Sequence, residues 1–528
     1  KTEEKFKKGG IELRDFTKTF RDAILIAYRL EKVGYIWIDS LCIRQFSPDE
    51  DPDEYEKDWL EQSRVMGRIY QESFLNISAT AAMDGGQGLF FPRNPEHLWE
   101  EEINLNLAGL LRHRYQYDTP AASPKMSVFR MRDADHNDNP DLPRKRRRTG
   151  MDYLQRCKII DVSFWDDLVD HAPVNQRAWV FQERFLSPRV LHFCRDQIAW
   201  ECSEFDNAEG LPEGVPNFKV KEGEIVDEGR FKSLDPDTDG RRLREMRLRG
   251  LPDPDEGLRN LYIHEIWKRI VESYSKTKLT MSRDKLIALS GIARMFSEST
   301  GARYVAGMWE QYLESQLLWR VEPKVNDGMF ENHSTRDPLR APSFSWAALD
   351  VPQGIVYGEA TDYGKDRDLQ LFFSVENWSI EYSDPENEFG MIREGKGYIQ
   401  LRVKHLRKIK LRKLEPHRRV PYGWRLDHGT SGQSLEREHG NVFLDAPESD
   451  VDIFSDDAQI YCMPAAWGDR TVNENSRYLM CLLLKYKHIR GHMRQFKRIG
   501  LTKLSKYADS KSQKELLGTK REERIILC

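Results

Sequence analysis

The sequence lacks any run of about 18 apolar residues, so no segment is composed to cross a membrane as a helix. It also lacks an excess of charge of one sign. Its 82 Lys and Arg stand against 86 Asp and Glu, for a formal net charge of -4, which gives no global attraction to nucleic acid or anionic lipid. Paired cysteines are missing. The seven (Cys42, Cys157, Cys194, Cys202, Cys462, Cys481 and Cys528) are scattered, form no CxxC pair and have no histidines at ligand spacing. That pattern reads as buried reduced thiols in preference to disulfides or a zinc site. No apolar h-region opens the chain, so no signal peptide is expected, and a first residue that is Lys and not Met suggests a fragment or a processed chain. Gly-x-Gly-x-x-Gly, Walker, Gly-x-Ser-x-Gly and His-Glu-x-x-His motifs are absent, as are repeats at solenoid or propeller periods.

What is present is a large aromatic content. The 13 Trp, 20 Tyr and 24 Phe, within 39% hydrophobic residues, are enough for a real core. A length of 528 residues predicts a main domain with an appended region. From Leu13 to Leu30, Phe16, Phe20, Ala23, Ile24, Ala27 and Leu30 recur at helical spacing, and Gly34 stops the helix. The apolar run Tyr35 to Asp39 then predicts a strand buried on both faces. Helical period returns from Glu54 to Glu72, and Leu75 to Thr80 predicts the next strand, closed by Asp84-Gly85-Gly86. Helix alternating with buried strand predicts an α/β sheet.

Residues 133–150 have the composition of an insertion or linker. The run Arg144 to Arg148 within it has two readings, a solvated loop or a patch for nuclear localisation or polyanion binding. A polar, partly disordered excursion is expected over 206–256. Helices are expected over Ile263–Tyr274, Arg283–Phe296 and Gly307–Trp319. Strand-like runs follow at Phe344–Leu349, Tyr398–Val403, Tyr478–Leu484 and Phe496–Leu501.

The segment "YIWIDSLCIRQ" (Tyr35 to Gln45) resembles the signature of the fungal heterokaryon-incompatibility (HET) domain. Similar blocks follow in order: Asp58 to Ala82, "GLFFPR" (Gly88 to Arg93) and "QRAWVFQERFLSPRVLHFCRDQIAWEC" (Gln176 to Cys202). Tyr274 to Ala293, Tyr304 to Trp319 and Ala341 to Asp350 resemble the extension of long fungal HET proteins. Family members usually open with Leu-Ser-Tyr-x-Trp-Gly. Nothing similar precedes Phe16, so that first strand is expected upstream of this chain or lost.

The resemblance implies an α/β fold of TIR-like kind, an open and mostly parallel sheet. It places the HET domain at 1–205 with its insertion, a helical extension at 257–350 and a β-rich region at 351–528. It implies an effector that triggers growth arrest or programmed cell death on non-self recognition, acting either by cleaving NAD+ or as a non-enzymatic oligomerising module. No cofactor is required, and NAD+ is the candidate substrate. A protein partner or self-association is expected, nucleic acid is not, and the location is cytoplasmic or, through Arg144–Arg148, nuclear.

A TIR-like site needs a carboxylate near the ribose and a crevice at strand carboxyl ends. Asp39 at the end of its expected strand, and Glu61 in Asp58-Trp59-Leu60-Glu61, are the candidate catalytic acids. Glu61 lies about 200° around the helix from Trp59, on the polar side with Arg64, an alternative partner. Asp39 either holds the Ser40–Cys42 loop or contacts a ligand. Cys42 has no sequence-local base and reads as a packed thiol. Trp37, Ser40, Cys42, Gln45 and Trp59 complete the candidate ligand contacts of the first block. In the second block Arg177, Glu183 and Arg184 lie on an apolar helix, as an internal ion network or as ligand contacts. His192 reads as a core histidine, and no metal site is expected.

Overall fold

The helical periods of the first hundred residues become two helices, α1 (Lys18–Arg29) and α3 (Pro52–Gln71), flanking the single turn α2 (Asp39–Cys42). The computed structural model describes residues 8–45, 52–98, 101–106, 154–215, 218–221, 224–227, 230–234, 256–326, 329–358, 371–414, 420–427, 438–471, 474–518 and 522–528. The 133–150 segment with Arg144–Arg148, and much of 206–256, lie outside them. Pro52 opens α3 in the first turn, where a missing N–H breaks no intrahelical bond.

Tyr35 to Ile38 is not the buried strand that its composition predicts. Its backbone is extended but pairs with no strand among the described residues, and Tyr35 is 97% exposed. Local hydrogen bonding turns the chain away. The Ile38 carbonyl accepts from the N–H groups of Leu41 and Cys42, both at 3.0 Å, and Asp39 Oδ1 accepts from Ser40 N at 2.7 Å. These bonds close a helical turn where a strand would need to continue.

The N-terminal sheet is four-stranded: β1 (Asn76–Ser78), β2 (Arg189–Phe193), β3 (Ile198–Cys202) and β4 (Asp206–Ala208), in that order. Only β1 and β2 run parallel, with Ile77 opposite Leu191; β2, β3 and β4 are antiparallel. The expectation of a mostly parallel sheet is corrected by connection length. Cys194–Gln197 is a loop long enough for a hairpin and too short for a parallel crossover. Helix α4 (Ala178–Leu186) leads directly into β2.

Next, α5 (Glu256–Tyr274) buries Ile263, Ile266, Trp267, Ile270, Val271 and Tyr274 along one stripe. Helix α6 (Ser290–Thr300) ends at Gly301 in the left-handed conformation, φ 67°. The helix expected over Gly307–Trp319 shrinks to one turn, α7 (Leu313–Gln316). The reason is local: Ala306 and Gly307 have φ of 50° and 91°, which folds Tyr304–Val305 back on Met308–Trp309 as a tight hairpin. The strand expected at Phe344–Leu349 is mostly a 3-10 turn, because Ser345 Oγ caps it by accepting from Ala347 N at 3.0 Å.

Among the described residues the C-terminal region forms a nine-stranded sheet. Its strands are β5 (Phe373–Tyr382), β6 (Ile392–Val403), β7 (Arg407–Lys413), β8 (Tyr422–Leu426), β9 (Val442–Leu444), β10 (Ile460–Thr471), β11 (Glu474–Arg490), β12 (Met493–Leu504) and β13 (Glu523–Leu527). The order is β5-β6-β13-β12-β11-β10-β7-β8, with β9 on β12. The expected strands at 398–403, 478–484 and 496–501 lie inside β6, β11 and β12. Helix α8 (Ser510–Leu517) precedes the last strand. Among the described residues no helix is long and apolar enough to cross a membrane.

One core joins these parts. Phe181 and Phe185 of α4 share a buried cluster with Trp267, Trp309, Trp346, Leu401 and Leu482. The crossing of α3 and α6 is close enough to need glycine on both helices, since a Cβ on Gly67 would lie 2.8 Å from Gly291 Cα.

Candidate functional site

A cleft of about 410 Å³ opens between α1, the Tyr35–Asp39 segment, the end of α3, β1 and α4. Its volume lies in the range of small-ligand pockets. Phe20, Trp37, Ile69, Leu89 and Val180 make most of the wall apolar, and Asp39, Tyr70, Arg177 and Glu183 bring polar groups into it. The elements explain the convergence. Residues 180 and 183 are one turn apart on α4, so Val180 and Glu183 share a face, and Arg177 stands at the extended N-cap just before it. Tyr70 comes from the last turn of α3, and the ring of Trp37 meets it edge-on at 5.5 Å.

The two carboxylates are unequal. Burial pushes the Glu183 carboxyl up to about 7, and the Asp39 charge adds to that against the Tyr70 hydroxyl bond and the Arg177 charge. Burial, with Glu183 and Asp39 nearby, likewise holds the Tyr70 phenol well above its ordinary value. Glu183 is therefore divided between acid and base near neutral pH, inside a mostly apolar wall that it shares with Tyr70. Such a group can hold or move one proton.

Arg184 also lines the cleft, and it has a structural task. Its Nε and Nη2 donate to the two Glu201 oxygens at 2.7 and 2.8 Å, and Nη1 donates to Asp170 Oδ1 at 2.8 Å. His192 closes the network, with Nε2 3.2 Å from Glu201 Oε2 and Nδ1 3.0 Å from Thr80 Oγ1. Burial alone would push Glu201 up, but the Arg184 guanidinium holds it well below the usual carboxylate range. Burial lowers His192, which is a core histidine as its sequence context predicts.

The remaining candidates lie elsewhere. Glu61 is exposed and is not part of the cleft wall. Its expected partner Arg64 turns instead to Asp384 and to Glu386, the latter at 3.2 Å. Trp59 packs edge-on against Trp179 at 6.1 Å, under the Arg283 guanidinium. Ser40, Cys42 and Gln45 are exposed on α2 and just beyond, outside the cleft wall. Cys42 is thus not a packed thiol; Cys194, Cys202, Cys462 and Cys481 are buried, and all seven are free. Sequence reasoning missed Tyr70 as a site residue, because its helical period marks it only as an apolar-face aromatic. Among the described residues no group of three His, Cys, Asp or Glu is arranged to hold a metal.

A segment with this cleft, built from an α/β N-terminal part joined to a β-rich remainder, belongs to a mixed α/β protein. Residues 1–183 match the family model described as Heterokaryon incompatibility protein (HET), a span that ends at Glu183 itself. No curated protein and no solved structure matches the chain.

Proposed function

We propose that the chain acts in heterokaryon incompatibility as an effector of growth arrest or cell death, and that its HET segment cleaves NAD+ in the cleft around Asp39 and Glu183. The observation that carries this reading is the convergence of two carboxylates, a tyrosine and an arginine in one aromatic-walled cleft. Breaking the nicotinamide–ribose bond develops positive charge on the ribose, which the Asp39 side chain would face. Glu183 would take the proton of the attacking water, a role suited to a carboxyl poised near the working pH. Arg177, exposed at the rim, would meet the pyrophosphate. Glu61 has no role in this scheme.

A second reading has its own support. Leu25, Tyr28, Tyr35, Phe74, Met83 and Phe90 are large hydrophobics exposed on the same segment, and β1 is a sheet edge. Such a surface suits self-association without turnover. Incubating the full chain with NAD+ separates the two readings. Nicotinamide release that rises with pH through about 7 is expected for the enzyme. Intact NAD+ together with concentration-dependent assembly in sedimentation would favour the module.

A further inference from the structure

Outside the cleft, in the C-terminal region, three side chains from two segments meet in a line. His439 Nδ1 lies 3.1 Å from Asp509 Oδ1, and His439 Nε2 lies 2.9 Å from Ser512 Oγ. Each is held from behind. The His439 ring packs on the fully buried Trp424 indole with centroids 4.5 Å apart, and its backbone exchanges two hydrogen bonds with Trp424, at 3.0 and 3.1 Å. The His439 side chain is 4% exposed. Asp509 is fixed through Oδ2, which accepts from Ser505 N at 2.8 Å. Ser512 is half-buried in the first turn of α8, with Tyr507 and Lys511 exposed nearby.

The roles follow from the bonds. With Asp509 accepting Nδ1–H, the imidazole keeps its Nε2 lone pair toward the Ser512 hydroxyl, the tautomer a general base requires. The leading N–H groups of a helix lack intrahelical acceptors, so in the proposed reaction those of α8 would be the donors to an oxyanion formed by attack of Ser512. This arrangement is recognised by geometry and not by motif, which is why a sequence without a Gly-x-Ser-x-Gly elbow can carry it.

We propose that Ser512 and His439, with Asp509 as the positioning residue, form a second catalytic site that hydrolyses short-chain acyl esters. Ser512 Oγ attacks the ester carbonyl while His439 Nε2 takes its proton. The tetrahedral adduct collapses, the C–O bond to the leaving alcohol breaks, and His439 returns the proton to that alcohol. Water, deprotonated by His439, then cleaves the acyl-serine and restores the Ser512 hydroxyl. Ser512 is half-buried with Tyr507 and Lys511 exposed nearby, which suits a short acyl group, whereas a long acyl chain would need an enclosed apolar pocket.

The same three residues could merely clamp α8 to the sheet, and labelling with a fluorophosphonate probe separates the two roles. In the full-length chain the probe should modify Ser512, found by peptide mapping. Ser512→Ala should lower labelling by at least about a thousandfold while leaving the thermal melt in place. Asp509→Asn should slow labelling strongly, and Asp509→Glu should recover part of the rate, which a clamp alone would not require. Wild-type protein that stays unlabelled, or Ser512→Ala labelled as fast as wild type, overturns the proposal.

Discussion

Glu183 makes the most specific statement at the scale of single residues, because its protonation couples the cleft to stability. Folding raises its carboxyl from 4.5 to about 7. The contribution of the protonated form is therefore complete below 4.5 and is lost as pH rises through 7. Above that, an ionised Glu183 sits beside Asp39 at a cost. Glu183→Gln removes this cost and should stabilise the protein by about 1–3 kcal/mol at about pH 8, with the gain vanishing below the unfolded value. Thermal melts of the two proteins across pH measure it; a gain that is independent of pH would show that the carboxyl is not perturbed. The sequence singled out Asp39 and Glu183 individually. It could not pair them, since a helix's own period says which face a residue occupies and nothing about what another element brings to that face.

Two features at the scale of elements set how α3 and α4 hold the cleft. Gly67 and Gly291 let α3 and α6 touch at backbone distance, and a Cβ on Gly291 would also lie 2.8 Å from Gln182 Oε1 of α4. Gly67→Ala should destabilise by about 1–3 kcal/mol through overpacking, read as a lower denaturant midpoint with unchanged slope. An unchanged midpoint would mean that the helices separate freely. Arg184→Met should cost more, about 3–5 kcal/mol, because it leaves Glu201 buried without its guanidinium, with His192 alone beside it. A double variant with Glu201→Gln should recover part of the loss, and no recovery would point to packing as the cause. The amphipathic elements were the legible ones: α1, α3, α5 and the inner strands of the large sheet all announce themselves by period. The misread segments turn on backbone geometry. Tyr35–Ile38 ends in a helical turn closed by its own carbonyl, and Ala306-Gly307 adopts left-handed dihedrals that make a hairpin where the side-chain pattern reads helix.

Continuity of the core governs the whole molecule. Ala178, Phe181, Phe185 and Leu186 of α4 are buried against Trp267, Ile270 and Tyr274 of α5, not against the N-terminal sheet alone. A fragment ending at residue 205 would therefore expose this face. It should be recovered aggregated or dye-binding, without the sharp melt of the full chain. A monomeric, cooperatively melting fragment would contradict that. The same continuity makes the cleft a property of the full chain, since α4 brings Glu183 to one side while its opposite face is anchored in the shared core. The central claim is that this cleft, through Glu183 and not Glu61, is the working site of the HET segment. Nicotinamide release from NAD+ by the full-length wild type, Glu183→Gln and Glu61→Gln tests it most directly. The account predicts release by wild type and Glu61→Gln at similar rates and a loss of at least about a hundredfold in Glu183→Gln. Equal release by wild type and Glu183→Gln, or a selective loss in Glu61→Gln, would contradict it.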